Sequence, residues 1–270
     1  MISETNHGYE LDFVTTDRTF DDKYTDDGGA TFKYYKKNTY LDFGLVMTDL
    51  YIPMPKPKRS VIDIPFASGS IDITDATGVT PYEDREGLKF EFFLNDKSPE
   101  LWSIAIQKLS MYLHGRKLKM KTEYDPQYYY VVRLNVDPTK SNQKSSKIVL
   151  TGTAEPFKYS LIASNEPWHW DPFSFIDGEI KETTADISVN GSKTIPVYAG
   201  GIMTSPTFYV YSSQNLKVVF EDTQYDLSKS NPSKAYEVYR FPQIRVGDED
   251  VNLTFTGTGV VSVEYRGRFL

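Results

Sequence analysis

Asp186-Ile187-Ser188-Val189-Asn190-Gly191, followed by Lys193 to Tyr198, is the stretch on which the fold turns. Apolar and polar residues alternate on both sides of the Asn-Gly pair, which is the period of a half-buried strand. Asn-Gly also supplies the positive φ values of a type I′ turn, so the stretch reads as a hairpin with its tip at Asn190-Gly191. Toward the C-terminus the theme repeats in Pro206 to Tyr211, Leu216 to Phe220, Val238 to Phe241, Gln243 to Val246, Val251 to Thr256 and Val260 to Tyr265. None of these carries a helical period. Short strands at this spacing predict a β-sandwich over residues 161–270.

Toward the N-terminus the same punctuation continues. Thr31 to Tyr35, Tyr40 to Met47, Ser60 to Pro65, Ile71 to Ile73, Leu88 to Leu94, Leu118 to Thr122, Tyr128 to Val136 and Lys147 to Thr151 read as strands. Between them, Ile52-Pro53-Met54-Pro55-Lys56-Pro57-Lys58 places three alternating prolines where no central strand can run, predicting an exposed, extended loop. A single helix is predicted over residues 99–114. Ser98 is its N-cap, Pro99 its first residue, Glu100 faces the positive dipole end and Gly115 stops it. Trp102, Ile106, Leu109 and Leu113 recur every three or four residues and form one apolar face for a sheet. Ala154 to Tyr159 and Ala163 to Pro167 read as an exit strand and a linker. The chain therefore divides into a polar N-terminal extension (1–30) with an apolar patch at Leu11, Phe13 and Val14, a β domain with one helix (31–160), and the sandwich (161–270).

The 270 residues include 20 Tyr and 16 Phe, which favours strands. A formal net charge of −7 would repel polyphosphate, so no broad nucleic-acid footprint is expected. The absence of cysteine excludes disulfides, thiolate metal sites and thiol catalysis, and fits folding in a reducing cytoplasm. Met1 to His7 lacks the basic start and apolar run of a secretory signal, and no apolar run is long enough to span a bilayer.

Reactive chemistry is hard to find. The three histidines, His7, His114 and His169, lie far apart, and His114 is best placed to stabilise the helix C-terminus. The acidic run from Asp21 to Gly29 lacks the alternation and closing Glu of a calcium loop. Local signatures of hydrolases, NTPases and zinc proteases are missing. No catalytic, cofactor or metal residue is therefore assigned. The most unusual local feature is Glu166-Pro167-Trp168-His169-Trp170-Asp171-Pro172-Phe173. Trp168, His169, Trp170 and Phe173 form a candidate protein-interface or glycan-contact site, against the plainer reading that they seal a domain junction.

An ordered set of segments resembles the siphophage tail family that includes distal tail proteins. It comprises Thr39 to Met47, Ser60 to Asp72, Tyr82-Glu83-Asp84-Arg85, the helix with Trp102 and His114-Gly115, Tyr128 to Arg133, Ala154 to Tyr159, Trp168 to Asp171, Asn190-Gly191 and Val263 to Arg266. The resemblance covers roughly residues 31 to 270. It implies a mainly β protein, with an N-terminal β-barrel-like (split-barrel) ring domain bearing one α-helix and a C-terminal galectin-like β-sandwich. By the same resemblance, six copies form a non-enzymatic hub at the virion tail tip, assembled in the bacterial cytoplasm and monomeric when isolated and dilute. Its expected partners are the tail tube protein, a tail-associated tip protein, and a receptor-binding protein or host glycan. DNA passes through such a ring without sequence-specific contact, and neither membrane nor cofactor is involved. The competing readings are a carbohydrate-binding module of the tail tip, and an enzyme with two carboxylates facing across a cleft.

Overall fold

A computed structural model describes residues 9–25, 32–66, 68–76, 78–94, 99–140, 146–166 and 183–270. The fold is mainly β: a β-barrel-like domain with one helix, and a β-sandwich. The chain divides into two compact units, the first ending at Lys158 and the second running from Tyr159 to Phe269.

The first unit contains β1 (Leu11–Thr15), β2 (Lys23–Thr25), β3 (Phe32–Tyr34), β4 (Lys37–Asn38), β5 (Leu45–Tyr51), β6 (Val61–Asp63), β7 (Ser70–Asp72), β8 (Arg85–Leu94), α1 (Pro99–Leu113), β9 (Lys117–Thr122), β10 (Asp125–Lys140) and all but the last two residues of β11 (Ser146–Ser160). Its main sheet runs β4-β1-β9-β10-β11-β8-β5. Within the stretch read as a polar extension, β1 is an interior strand paired on both sides, and Leu11, Phe13 and Val14 are fully buried. Three apolar side chains suffice for this because β9 offers a matching edge from Leu118 to Thr122. The segment Tyr40 to Met47 becomes a strand only from Leu45. Before it, Asn38 Oδ1 accepts from the Tyr40 and Leu41 N–H groups at 2.8 and 2.9 Å, and Asp42 Oδ2 accepts from Asn38 N–H. Such side-chain to backbone bonds hold a turn against extension.

The helix is placed as the periodicity predicts, one residue shorter, and Gly115 ends it at φ +68°. Leu109 and Leu113 are fully buried, with Trp102, Ala105, Ile106 and Tyr112 packed on the same core beside Phe13, Phe90, Leu118 and Leu150. The Tyr112 hydroxyl donates to Phe13 O, tying helix to β1.

The second unit holds β12 (Ile187–Val197), β13 (Thr207–Phe220), β14 (Thr223–Asp226), β15 (Glu237–Arg240), β16 (Val251–Glu264) and β17 (Arg268–Phe269). Here the structure corrects the hairpin expected at Asn190-Gly191. β12 runs straight through that pair, and Gly191 lies opposite Gly257 in an unbroken ladder with β16. Likewise Pro206 to Tyr211 and Leu216 to Phe220 join as β13, and Val251 to Thr256 and Val260 to Tyr265 join as β16.

The reason lies in a line of left-handed residues crossing three strands: Gly191 (φ +89°), Gly257 (+102°) and Asn215 (+53°). A Cβ on Gly257 would come within 2.2 Å of Asn215 O. The positive φ that would have turned one strand back instead bends three neighbours together, as glycine kinks do at sheet corners. Phe208 and Val210 on one side of the bend, and Leu216 and Val218 on the other, all enter one core with Phe255, Val261 and Val263. The bent sheet thus closes over itself as a sandwich. Accordingly, β13 pairs β15 through its first half and β14 through its second. Gln243 to Val246 is a turn with one bridge to Thr204 rather than a strand, because Pro242 directs the chain into an Ile244 N–H to Phe241 O turn.

Candidate functional site: an uncovered apolar arm

Between β5 and β8 the chain leaves the main sheet and returns as a two-stranded arm. Its root is built from the proline-rich segment: Pro57 bridges to Tyr82, Lys58 N–H donates to Pro81 O, and Glu83 N–H donates to Lys56 O. Beyond it, among the described residues, β6 and β7 pair only with each other, with Val61 opposite Asp72, Ile62 opposite Ile71 and Asp63 opposite Ser70. Because side chains alternate between faces, Ile62, Ile64, Ile71 and Ile73 share one face while Asp63 and Asp72 take the other.

Every residue of both strands is exposed. Ile62 and Ile71 are each 50% accessible and Met54 is 69%. At the tip Phe66 is fully exposed and has φ +67°, a conformation an aromatic residue adopts only under strain. The arm's order comes from polar pins. Thr74 N–H donates to Asp72 Oδ1 at 2.9 Å and Ser60 N–H to Thr74 Oγ1 at 3.0 Å, while Thr80 Oγ1 donates to Asp75 Oδ1 at 2.6 Å. The Thr74 hydrogen bonds, with Arg59 nearby, hold the Asp72 carboxyl below its ordinary range.

A buried cation fixes the root. Arg85, only 2% accessible, donates through Nε to Pro156 O at 2.9 Å and through Nη1 to Pro53 O at 2.8 Å, and its guanidinium lies 5.4 Å from the Tyr130 ring centroid. Among the described residues no carboxylate faces it and Nη2 has no partner, and burial lowers its pKa. Burial likewise pushes the Tyr130 phenol up to about 12, with Tyr124 adding to the shift. A buried charge without a counter-ion is costly. Here it joins the arm's first residues to the end of β11.

Trp168, His169, Trp170 and Phe173, the site expected from sequence, lie outside the described residues, as do His7, Ser98 and Asp26-Asp27-Gly28-Gly29. His114 receives the Val136 N–H on Nδ1 at 3.0 Å, so it satisfies a strand donor beside the helix end. Among the described residues no group of three His, Cys, Asp or Glu could hold a metal ion, and no helix is long and apolar enough to cross a membrane.

The arm was readable in part. Ser60 to Pro65 and Ile71 to Ile73 read as strands from the sequence, which does not say whether other strands cover them. The missed signal was the matched alternation of Ile62, Ile64, Ile71 and Ile73 with Asp63 and Asp72 in two segments beyond a proline-rich tract.

No protein-family model and no curated protein matches the sequence. Among solved structures, the SPP1 Dit protein (gp 19.1), described as a paradigm of the hub adsorption apparatus in Gram-positive-infecting phages, matches with a TM-score of 0.52. The two are 13% identical, over 84% of this chain and 94% of that one. The baseplate of phage P2 in its activated conformation with Ca matches with a TM-score of 0.43 and 11% identity, over 97% and 98% of the two chains. The SPP1 likeness shows the fold: this chain folds as that hub protein does.

Proposed function

We propose that this chain is the distal tail protein of a long-tailed phage or prophage. In this reading copies of it, six by the resemblance, close into a hub ring at the virion tail tip. The ring joins the tail tube to the tip and to receptor-binding proteins, and lets DNA pass without sequence-specific contact. The observation that carries the reading is the uncovered arm on a fold shared with a hub protein. The arm leaves Met54, Ile62, Ile64, Phe66, Ile71 and Ile73 exposed together, and a contiguous apolar surface of this kind marks an interaction site. An isolated two-stranded hairpin is also marginal in water, so its exposed isoleucines need a cover. The function asks for surfaces and no reactive centre.

The test is mass photometry and negative-stain imaging of the purified chain over rising concentration. Closed rings of uniform size, lost in the Ile62→Asp/Ile71→Asp variant, are expected. A chain that stays monomeric throughout, including with its tube and tip partners, overturns the reading.

A second reading, glycan contact, is favoured by one feature of the sandwich. Tyr209, Tyr211 and Tyr236 gather on its outward face, with ring centroids 5.2 and 5.8 Å apart for the Tyr209–Tyr236 and Tyr211–Tyr236 pairs. The Tyr209 hydroxyl donates to Glu264 at 2.6 Å, and Tyr236 is 43% accessible. Amphipathic rings beside a carboxylate suit a sugar's mixed surface. Titration with host cell-wall polysaccharide should show binding that Tyr236→Ala weakens. No binding, or binding that Trp168→Ala removes and Tyr236→Ala does not, rejects this platform.

A further inference from the structure

A ring built from one kind of subunit needs two unlike surfaces on each copy, so that the contact is heterologous and the rotation closes. The arm supplies one of them. α1 carries a candidate for the other. Its core-facing residues are Trp102, Ala105, Ile106, Leu109, Tyr112 and Leu113, yet Leu101 (47%), Ile104 (46%) and Met111 (74%) are exposed. At 100° per residue these three fall with Lys108 within one stripe of about 80°, turned away from the core. A solvent-facing helix surface would normally carry polar residues at those positions, and the neighbouring Ser103 and Gln107 show that the rest of this one does.

Resting on the hub reading, we propose that the isoleucine face of the arm of one copy seats on the Leu101–Ile104–Met111 stripe of α1 in the next copy. Two observations support a second copy as the occupant. Among the described residues of its own chain, both strands of the arm are exposed throughout and pair with no other strand. The two faces are also alike in chemistry, since Leu101, Ile104 and Met111 on α1 and Ile62, Ile64, Ile71 and Ile73 on the arm are all exposed apolar side chains. A like-with-like pairing of two arms would leave the helix stripe open and would end at a dimer.

The chain contains no cysteine, which makes the test direct. The Ile64→Cys/Ile104→Cys variant is oxidised at concentrations where the parent forms oligomers and is run without reductant. Arm-on-helix docking brings the two sulfurs within bonding reach, a distance a disulfide tolerates only when the Cα atoms lie under about 7 Å apart. The expected result is a ladder of covalent multimers that contains most of the chain, collapses with reductant, and stops at dimer or is absent in each single variant. Because the meeting point can slide by a turn, Ile64→Cys with Leu101→Cys and with Met111→Cys completes the scan. Rings that form normally while no pair in the scan gives a ladder overturn the docking and leave the hub reading standing. A monomer with an internal disulfide also overturns it, by showing the arm folded on its own helix. Failure of the parent to oligomerise at all removes both.

Discussion

The molecule contains two short hairpins of similar chemistry and opposite fate. In the arm, β6 and β7 meet at a tip where Phe66 takes φ +67°. In the sandwich, the second half of β13 and β14 meet at a tip where Glu221 takes φ +52°. Each places apolar residues at alternate positions, but Val218 and the adjoining Leu227 are fully buried while Ile62 and Ile71 remain half exposed. Tyr225 also packs on Phe241, with ring centroids 4.8 Å apart. Alternation makes a hairpin with one apolar face, and the rest of the unit decides whether that face is covered. Where no element of the unit covers it, the sequence has built a surface for something else.

Charge substitution separates the two hairpins most sharply. Val218→Asp places a carboxylate in the sandwich core and should cost about 4 kcal/mol or more, enough to unfold the second unit. Ile71→Asp in the arm should change stability by less than ~0.5 kcal/mol. Thermal unfolding followed by circular dichroism measures both. Equal losses would mean that the arm is part of a core.

The bend in the sandwich gives the next effect. Gly257→Ala combines a left-handed backbone (φ +102°) with a Cβ placed 2.2 Å from Asn215 O, and should cost roughly 3 kcal/mol. At Gly191 an added Cβ meets nothing within 4 Å. Gly191→Ala should therefore cost only the backbone strain of about 1 kcal/mol. If the two variants melt alike in denaturant titrations, the bend is not held by close approach at Gly257.

These glycines also mark how far the sequence could be read. Strand content, the helix and its apolar face were legible because period and capping are local properties. At Asn190-Gly191 the local signal was a positive φ, which serves a turn or a bend equally well. What decided between them was the partner strand with its own Gly257 and Asn215, residues 66 and 24 positions further on. The arm was legible as strands and illegible as a site, since exposure depends on elements that alternation does not name. Arg85 was legible only as the end of the Tyr82-Glu83-Asp84-Arg85 segment of the resemblance, and nothing local signalled its burial: a lone arginine in an acidic stretch looks like surface, and only the fold brings Pro53 O and Pro156 O to it.

Truncation at the arm's root should act on both stability and assembly. Arg85→Met removes two charge-assisted hydrogen bonds while relieving a buried charge, and a net loss of about 2 kcal/mol is expected. Hydrogen exchange should then rise first at Lys58 and Glu83, the root amides, ahead of β8. Exchange that rises evenly over the sheet would show that Arg85 serves the core and not the arm. Alkaline pH probes the same unit from another side. Burial holds the Tyr112 and Tyr130 phenols up to about 12 in the folded state. A folded pKa raised above the ordinary value of about 10 contributes stability in full below pH 10, which is lost as pH climbs toward 12 and the unfolded chain ionises first. The first unit should therefore weaken above pH 10, with phenolate absorbance lagging in the native protein. Tyrosines that all titrate near 10 before unfolding would contradict their burial.

The smallest effect on stability is the most informative, because its sign is reversed. Phe66 buries nothing in its own chain and sits at a φ that glycine adopts freely. Phe66→Gly should leave the fold unchanged or stabilise it by up to ~1 kcal/mol, while weakening ring formation by removing the arm's largest apolar side chain. A residue kept for folding cannot show that combination, since its loss would lower the melting temperature. One kept for a neighbouring subunit must. Mass photometry beside thermal melts of the same variant reads both quantities. A Phe66→Gly chain that melts several degrees lower and assembles normally would return the tip to the core of its own unit.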